Sequence, residues 1–289
     1  MELSSSNVAV ITGGASGIGL AMARELGAKG VKLVLADIEE NVLDNTVSAL
    51  QAGGLDVHGV VTDVSDKASI ESLKKQAIAK YGKVNILCNN AGVVSEGRIV
   101  DQAHEDWEWV FGVNFWAVIY GTKAFLADMM SNGEPCHIVN TASMAGLANG
   151  SMMAPYFVTK HAVVSYSECL FAELQADAPH VGVSVLCPGF VQTQIMNARR
   201  NHPDQAYADR EMTRQGVSEF NEAMTAGVES GITPDSVAAQ VAAAIESNRF
   251  WILTHEGSTD MLRASAQTWW GEQNPQAVVA GRDDVLGEE

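Results

Sequence analysis

Short runs of consecutive apolar residues recur along the chain, separated by longer stretches in which apolar positions return every three or four residues. The runs fall near 7–12, 31–36, 57–62, 84–88, 136–141 and 181–187, with a seventh over Phe250–Thr254. Unbroken, often β-branched runs of this length predict strands buried on both faces, and the periodic stretches between them predict helices. Such alternation implies parallel strands joined by right-handed crossovers. The expected class is therefore α/β, a doubly wound sheet of about seven parallel strands flanked by helices. No repeat or low-complexity linker divides it, so 1–289 is expected to be a single domain. Thr233-Pro234-Asp235 predicts the start of the helix before the last strand, with threonine as cap and proline in the first turn.

Two stretches depart from this alternation. After Gln194 the chain turns polar and irregular from Asn197 to Asp204, then amphipathic from Ala206 to Met224. The stretch follows the C-terminal end of the sixth strand, the edge at which open α/β sheets bind ligands. A helical lid is expected over about 194–232, the alternative being a surface excursion unrelated to any ligand. A C-terminal extension over about 256–289 contains one more predicted helix, Gly257 to Trp270. It ends in Trp269-Trp270, a pair suited to burial against a neighbouring surface. The last fifteen residues, rich in Gly, Asp and Glu, predict a mobile tail.

Composition narrows the function classes. With 289 residues, 47% of them hydrophobic, the chain can bury a large core. A net charge of −17 argues against nucleic acid and anionic lipid as partners, since both need clustered Lys and Arg. No run of eighteen apolar residues indicates a membrane span, and the start lacks the basic-then-apolar pattern of a secretion signal. Cys88, Cys136, Cys169 and Cys187 show no C-x-x-C spacing and read as buried free thiols in a reducing cytoplasm. The seven histidines show no metal-ligand spacing, so no metal site is expected.

Candidate chemistry concentrates in two places. The first strand runs into Thr12-Gly13-Gly14-Ala15-Ser16-Gly17-Ile18-Gly19, followed by good helix formers from Leu20 to Lys29. Strand, glycine turn and helix is the geometry that seats a pyrophosphate on a helix N-terminus, where backbone N–H groups and the dipole favour anions. Asp37, ending the second strand, stands where a carboxylate hydrogen-bonds adenosine ribose hydroxyls. Further along, Tyr156 and Lys160 are four residues apart in a predicted helix, hence on one face, with Ser143 thirteen positions upstream. A phenol titrates near 10 in water, and an adjacent fixed cation is expected to bring it toward a working range for acid–base catalysis. Taken singly, Ser143 reads equally as a helix cap, Asn114 as a helix-distorting polar residue, and His161 as a packing residue.

These motifs, in this order, resemble the short-chain dehydrogenase/reductases over about residues 5 to 255. The resemblance implies a Rossmann-type fold and an NAD-dependent alcohol dehydrogenase. It implies a catalytic tetrad of Asn114, Ser143, Tyr156 and Lys160: Tyr156 exchanging a proton with the substrate oxygen, Lys160 lowering its pKa and holding the nicotinamide ribose. Ser143 would hydrogen-bond the carbonyl oxygen, and Asn114 would hold a water that links Lys160 to solvent. For the cofactor it implies Gly13, Ser16, Gly17, Ile18, Gly19, Asp37, Ile38, Asp63 with Val64 at the adenine, and Asn90, Ala91 and Gly92 of the Asn89-Asn90-Ala91-Gly92 motif. Pro188, Gly189, Val191 and Thr193 would close over the nicotinamide. Asp37 followed by Ile38, with Ser16 before the second motif glycine, favours NAD over NADP. A homodimer or homotetramer through the helices carrying Asn114 and Tyr156 is implied as well, and the apolar outer positions of Ala162 to Leu174 agree with it.

The substrate pocket reads as soft and apolar. Ser143, Met144, Met153, Tyr156, Phe190 and Met196 are its expected lining, with Leu147 and Met152 nearby, and they suit a bulky hydrophobic or aromatic small molecule. No arginine lies in the catalytic segment, although Arg199, Arg200, Arg210 and Arg214 fall in the lid. The end of the last strand, Phe250 to His255, resembles the Cα-dehydrogenases of bacterial aromatic degradation, which implies a benzylic alcohol. A hydroxysteroid dehydrogenase and a non-catalytic NAD(H)-binding redox sensor are the alternatives. An acyl-carrier-protein ketoreductase fits worse, since the chain lacks a basic docking patch.

Overall fold

The computed structural model describes residues 1–205, 208 and 216–274. Its strands are β1 (Val8–Thr12), β2 (Lys32–Asp37), β3 (Val57–Val61), β4 (Ile86–Asn89), β5 (Cys136–Thr141), β6 (Val181–Cys187) and β7 (Trp251–Leu253). They form one sheet in the order β3-β2-β1-β4-β5-β6-β7, and every neighbouring pair is parallel. The α/β class, the strand number and the strand direction agree with the hydrophobic pattern.

Helices cover both faces. On one side α1 (Gly17–Ala28) packs against α8 (Pro234–Ser247) over Leu26, Leu33, Leu35, Val241 and Ile245. On the other, α3 (Lys67–Tyr81), α5 (Ala117–Ser131) and α6 (Ala154–Asp177) bury Ile70, Leu73, Phe125, Met129 and Leu170 against Val10, Leu87 and Ile138. The inner strands β1 and β6 are buried along their whole length, the physical reason their sequences are apolar without alternation. Thr233 caps α8 by accepting from the Ser236 N–H at 3.3 Å, and Pro234 stands in its first turn as expected.

Three consecutive segments form one continuous helix from His104 to Ser131: α4 (His104–Phe111), a single wider π-helical turn (Gly112–Trp116) and α5. This helix is long and apolar enough to cross a membrane by length and composition alone. Here it lies on the sheet as the crossover from β4 to β5, and its buried residues feed the core. Asn114 sits in the π turn, in keeping with its reading as a helix-distorting residue.

The expected lid is helical and tied down. After β6 a 3₁₀ segment (Ile195–Asn201) and α7 (Val217–Glu229) lie beyond the C-terminal edge of the sheet. A bridge pairs Val191 with Ile232 where the excursion begins and ends. Arg199 fixes its near half: the guanidinium reaches Glu96 Oε2 at 3.1 Å, Asp106 Oδ1 at 3.2 Å and Ser95 Oγ at 3.0 Å. Arg199, Glu96 and Asp106 are all almost fully buried. Asn221 of α7 donates to Glu96 Oε1 and to the Met196 carbonyl, tying the far half to the same cluster. Ala206, Tyr207 and 209–215, hence Arg210, Arg214 and much of the expected amphipathic start, lie outside the described residues.

The C-terminal helix α9 (Ser258–Trp270) matches its expected span, while 275–289 lie outside the described residues. Two expectations need correction. Trp270 is 80% exposed, so within this chain it does not bury. Cys88, Cys136 and Cys187 are buried, but Cys169 is exposed on α6, because a helix turns every third or fourth residue outward whatever its polarity.

Candidate active site

The C-terminal ends of the strands converge on one cleft of about 760 Å³. It runs from Asp37, Asp63 and Val64 past Gly13, Asn90, Gly92, Ser143, Tyr156 and Lys160 to Phe190, Met196 and His255. The sheet changes its winding direction between β1 and β4, and there the loops diverge and leave a crevice. Hydrogen bonds hold its floor. Thr12 Oγ1 accepts from the Asn90 and Ala91 N–H groups at 2.9 and 3.1 Å, and Asn90 Nδ2 donates to the Thr12 carbonyl at 3.0 Å. Thr141 Oγ1 donates to Asn90 Oδ1 at 3.2 Å, extending the floor to β5.

The glycine turn has the geometry required of a phosphate cradle. Gly13 and Gly17 hold φ of 61° and 51°, in the left-handed region. A Cβ on Gly19 would lie 2.0 Å from the Gly13 carbonyl oxygen, so no larger residue fits. The Ser16 side chain caps nothing and the first turn of α1 carries no acidic residue, leaving its N–H groups turned toward the cleft wall that Gly17 and Ile18 form. Asp37 supports the same turn: its carboxylate accepts from the Ala15 N–H at 3.0 Å and the Glu39 N–H at 3.2 Å. Burial pushes its carboxyl above the ordinary value, and those two backbone bonds pull the other way.

Here the tertiary structure adds a cation that sequence proximity does not show. Arg200, from the lid, reaches back to this end and binds Glu39 Oε1 through Nε at 3.1 Å and Nη2 at 2.7 Å. Asn201 donates to the same oxygen at 3.1 Å. Arg199 and Arg200 are therefore both engaged in carboxylate pairs.

At the other end the four tetrad candidates meet. Lys160 is 3% exposed and its Nζ donates to the Thr141 carbonyl at 2.9 Å. The ammonium is 5.5 Å from the centroid of the Tyr156 ring, one helical turn away on the same face. Ser143 Oγ accepts from the Ala145 N–H at 3.1 Å, capping a 3₁₀ turn, and donates to the Pro188 carbonyl at 3.4 Å, on the same cleft wall as Tyr156. Asn114 is bound on both sides, Oδ1 accepting from the Val93 N–H at 2.8 Å and Nδ2 donating to the Val93 carbonyl at 2.9 Å. A Cβ on Gly92 would stand 3.5 Å from both Asn114 Oδ1 and Lys160 Nζ, so these groups flank one point of the backbone.

One electrostatic expectation fails. Burial pushes the Tyr156 phenol up, and the neighbouring Ser143 side chain acts against that rise. Burial acts on the neighbouring Lys160 ammonium as well, pushing it down to about 8.

The apolar half agrees with the sequence reading in Met144, Met153, Phe190 and Met196, which line the cleft. Leu147 and Met152 do not: Leu147 packs into a core cluster, and Met152 takes a left-handed φ of 68° beside the Gly97–Met153 bridge. Trp109, Val94, Phe157, Ile195, Phe220 and Met224 join the lining from α4, the loop after β4, α6 and the lid. Their only signal in the sequence is apolarity, which core residues share. Among the described residues no cluster of His, Cys, Asp or Glu could hold a metal.

The buried ammonium has a measurable consequence. The folded chain holds the Lys160 proton less tightly than the unfolded chain, so Lys160 weakens the fold at neutral pH, and this cost is relieved as pH rises from about 8 to the ordinary value of 10.5. Lys160→Met is expected to stabilise the unliganded protein at pH 7 by up to roughly 3 kcal/mol. Urea unfolding at pH 7 and 10 checks it: the advantage shrinks at pH 10. Equal stability at pH 7 would mean that the Thr141 bond fully offsets the desolvation.

Comparison with known proteins agrees with this geometry. Residues 7–204 match the family model described as short chain dehydrogenase. A 1-deoxy-11-beta-hydroxypentalenate dehydrogenase of Streptomyces avermitilis is 36% identical over 92% of this chain and 88% of its own length. A C alpha-dehydrogenase of a Sphingobium species is 31% identical over 86% of this chain and 80% of its own. Among solved structures, a short chain dehydrogenase/reductase from Burkholderia phymatum in complex with NAD superposes with a TM-score of 0.93. It is 39% identical, and the match covers 96% of this chain and 99% of that one. The chain belongs to the short-chain dehydrogenase family.

Proposed function

We propose that the protein is an NAD-dependent oxidoreductase that interconverts a secondary alcohol and a ketone on a bulky hydrophobic or aromatic, benzylic substrate. One observation carries this reading: the Tyr156 phenol, one helical turn from the Lys160 ammonium, lines with Ser143 an apolar cleft continuous with the glycine turn. When bound, the dinucleotide supplies the hydride acceptor or donor. The open N-terminus of α1, the Asp37 carboxylate and the length of the cleft fit it, with Gly13, Ser16, Gly17, Ile18, Gly19, Asp37, Ile38, Asp63, Val64, Asn90, Ala91, Gly92, Pro188, Gly189, Val191 and Thr193 as its contacts.

The chain's own residues then divide the work. Tyr156 moves the proton at the substrate oxygen, and Ser143 donates a hydrogen bond where charge develops on that oxygen. Lys160 supplies positive charge beside the phenol and holds the nicotinamide ribose. Asn114 anchors Val93 and flanks the exit of the proton from Lys160. Trp109, Met144, Met153, Phe190, Met196 and Phe220 exclude water and seat an apolar body. The benzylic assignment draws support from the similarity to the Sphingobium C alpha-dehydrogenase.

NAD is expected to be preferred over NADP. Asp37 would repel a 2′-phosphate, and the nearby cation, Arg200, is engaged by Glu39. The penalty is on the order of 2–4 kcal/mol, or about 30- to 1,000-fold in kcat/KM. Equal kcat/KM with the two cofactors would overturn the assignment.

Tyr156→Phe keeps the ring and removes the proton. Folding and NADH affinity are expected to survive while kcat on the best substrate of an alcohol panel falls by about 10²–10⁴-fold. Retention of more than about a tenth of wild-type kcat would mean that another group carries the proton.

A homodimer or homotetramer is expected through the helices that carry Asn114 and Tyr156. Trp107, Phe111, Phe115, Trp116 and Tyr120 form a ladder of ring contacts along α4, the π turn and α5. Trp116 and Val158 are nearly half exposed, a surface that a partner would cover. Light scattering at micromolar concentration is expected to return a multiple of the monomer mass, and a monomer would sink this proposal.

A further inference from the structure

His255 follows β7, the edge strand, and reaches into the cleft from the side opposite the glycine turn. Its imidazole binds the segment after β6 at two successive residues. The Gly189 N–H donates to Nδ1 at 3.2 Å, and Nε2 lies 2.9 Å from the Phe190 carbonyl oxygen. A backbone N–H can only donate, so Nδ1 is the acceptor, and a carbonyl can only accept, so Nε2 carries the proton. One neutral tautomer satisfies both bonds, and the Thr254 hydroxyl at 2.8 Å from Nδ1 joins as a second donor. Ring and backbone are also in contact, since a Cβ on Gly189 would lie 3.1 Å from imidazole atoms.

The segment so held is the wall beside the catalytic candidates. The Pro188 carbonyl accepts from the Met144 N–H at 2.9 Å and from Ser143 Oγ at 3.4 Å, so a shift of Gly189 would carry through one residue to Ser143. From its other side His255 also holds the C-terminal helix, its carbonyl accepting from Ser258 Oγ at 2.8 Å at the start of α9. We infer that His255 is a positioning residue: it fixes the Pro188–Phe190 backbone against the nicotinamide end of the cleft and couples the C-terminal helix to that geometry. This inference rests on the NAD-dependent reading above.

The two bonds are not equivalent. The Phe190 carbonyl also accepts from the Ile232 N–H at 3.1 Å, whereas the Gly189 N–H depends on Nδ1. Loss of an acceptor for an enclosed donor is the costlier event. His255→Phe keeps a ring against Gly189 and removes both bonds; His255→Asn restores an acceptor at the Nδ1 position alone. NADH affinity from fluorescence titration, cofactor KM and kcat are measured for both variants beside wild type. The Phe variant is expected to lose about tenfold in NADH affinity and a similar factor in kcat, and the Asn variant to stay within about threefold of wild type. A Phe variant within twofold of wild type in both quantities overturns the inference, as does equal impairment of the Phe and Asn variants, which would assign the loss to packing. Should His255→Phe fail to fold, His255→Gln, which lacks the Nδ1 acceptor, takes its place, and parity with wild type is again fatal. Wild-type protein that binds no NADH would instead overturn the NAD-dependent reading, and the inference with it.

Discussion

The hydrogen bonds between Thr12 and the Asn90–Ala91 backbone are the interaction on which the cleft depends. They join β1 to β4 where the sheet reverses its winding and the following loops must part. A parallel sheet needs no help along its ladders, but its ends expose backbone groups that no neighbouring strand satisfies. Here one hydroxyl and one carboxamide satisfy them, and Asn90 passes the constraint to Thr141 on β5. Thr141 in turn presents its carbonyl to Lys160. A chain of short polar side chains thus sets the distance between the glycine turn and the tetrad candidates.

Charge is handled the same way in and around the cleft. Lys160, Asp37 and Glu96 are each buried, each has a pKa displaced by that burial, and each is bonded to backbone or to an opposite charge. Placing an ion in a dry site is costly, and removing one partner from a buried pair costs more than the pair contributes. The Arg199 cluster is best understood as an anchor that brings Ile195, Met196 and α7 over the apolar end of the cleft. Lys160 is held by the Thr141 carbonyl and not by an opposite charge.

Much of this molecule was legible in the amino-acid sequence. Runs such as Val8–Thr12 and Val181–Cys187 are apolar because both faces of an inner parallel strand are covered, so strand number, direction and class follow from local pattern. The glycine turn and the Tyr156–Lys160 spacing are legible for a related reason: their geometry is set within a few residues by allowed backbone angles and the pitch of a helix. What the sequence left open depends on residues far apart along the chain. Trp109, Phe220 and Met224 carry only apolarity, which does not distinguish a pocket wall from a core, and His255 meets Gly189 across 66 positions. Arg199 and Arg200 read as lid cations until folding delivers each to a carboxylate more than ninety positions away. The direction of the Tyr156 shift likewise reversed, because desolvation is a property of the folded surroundings that spacing along the chain does not show. Periodicity and steric rules act locally and so can be read from sequence; burial, charge pairing and pocket shape arise only when distant segments meet.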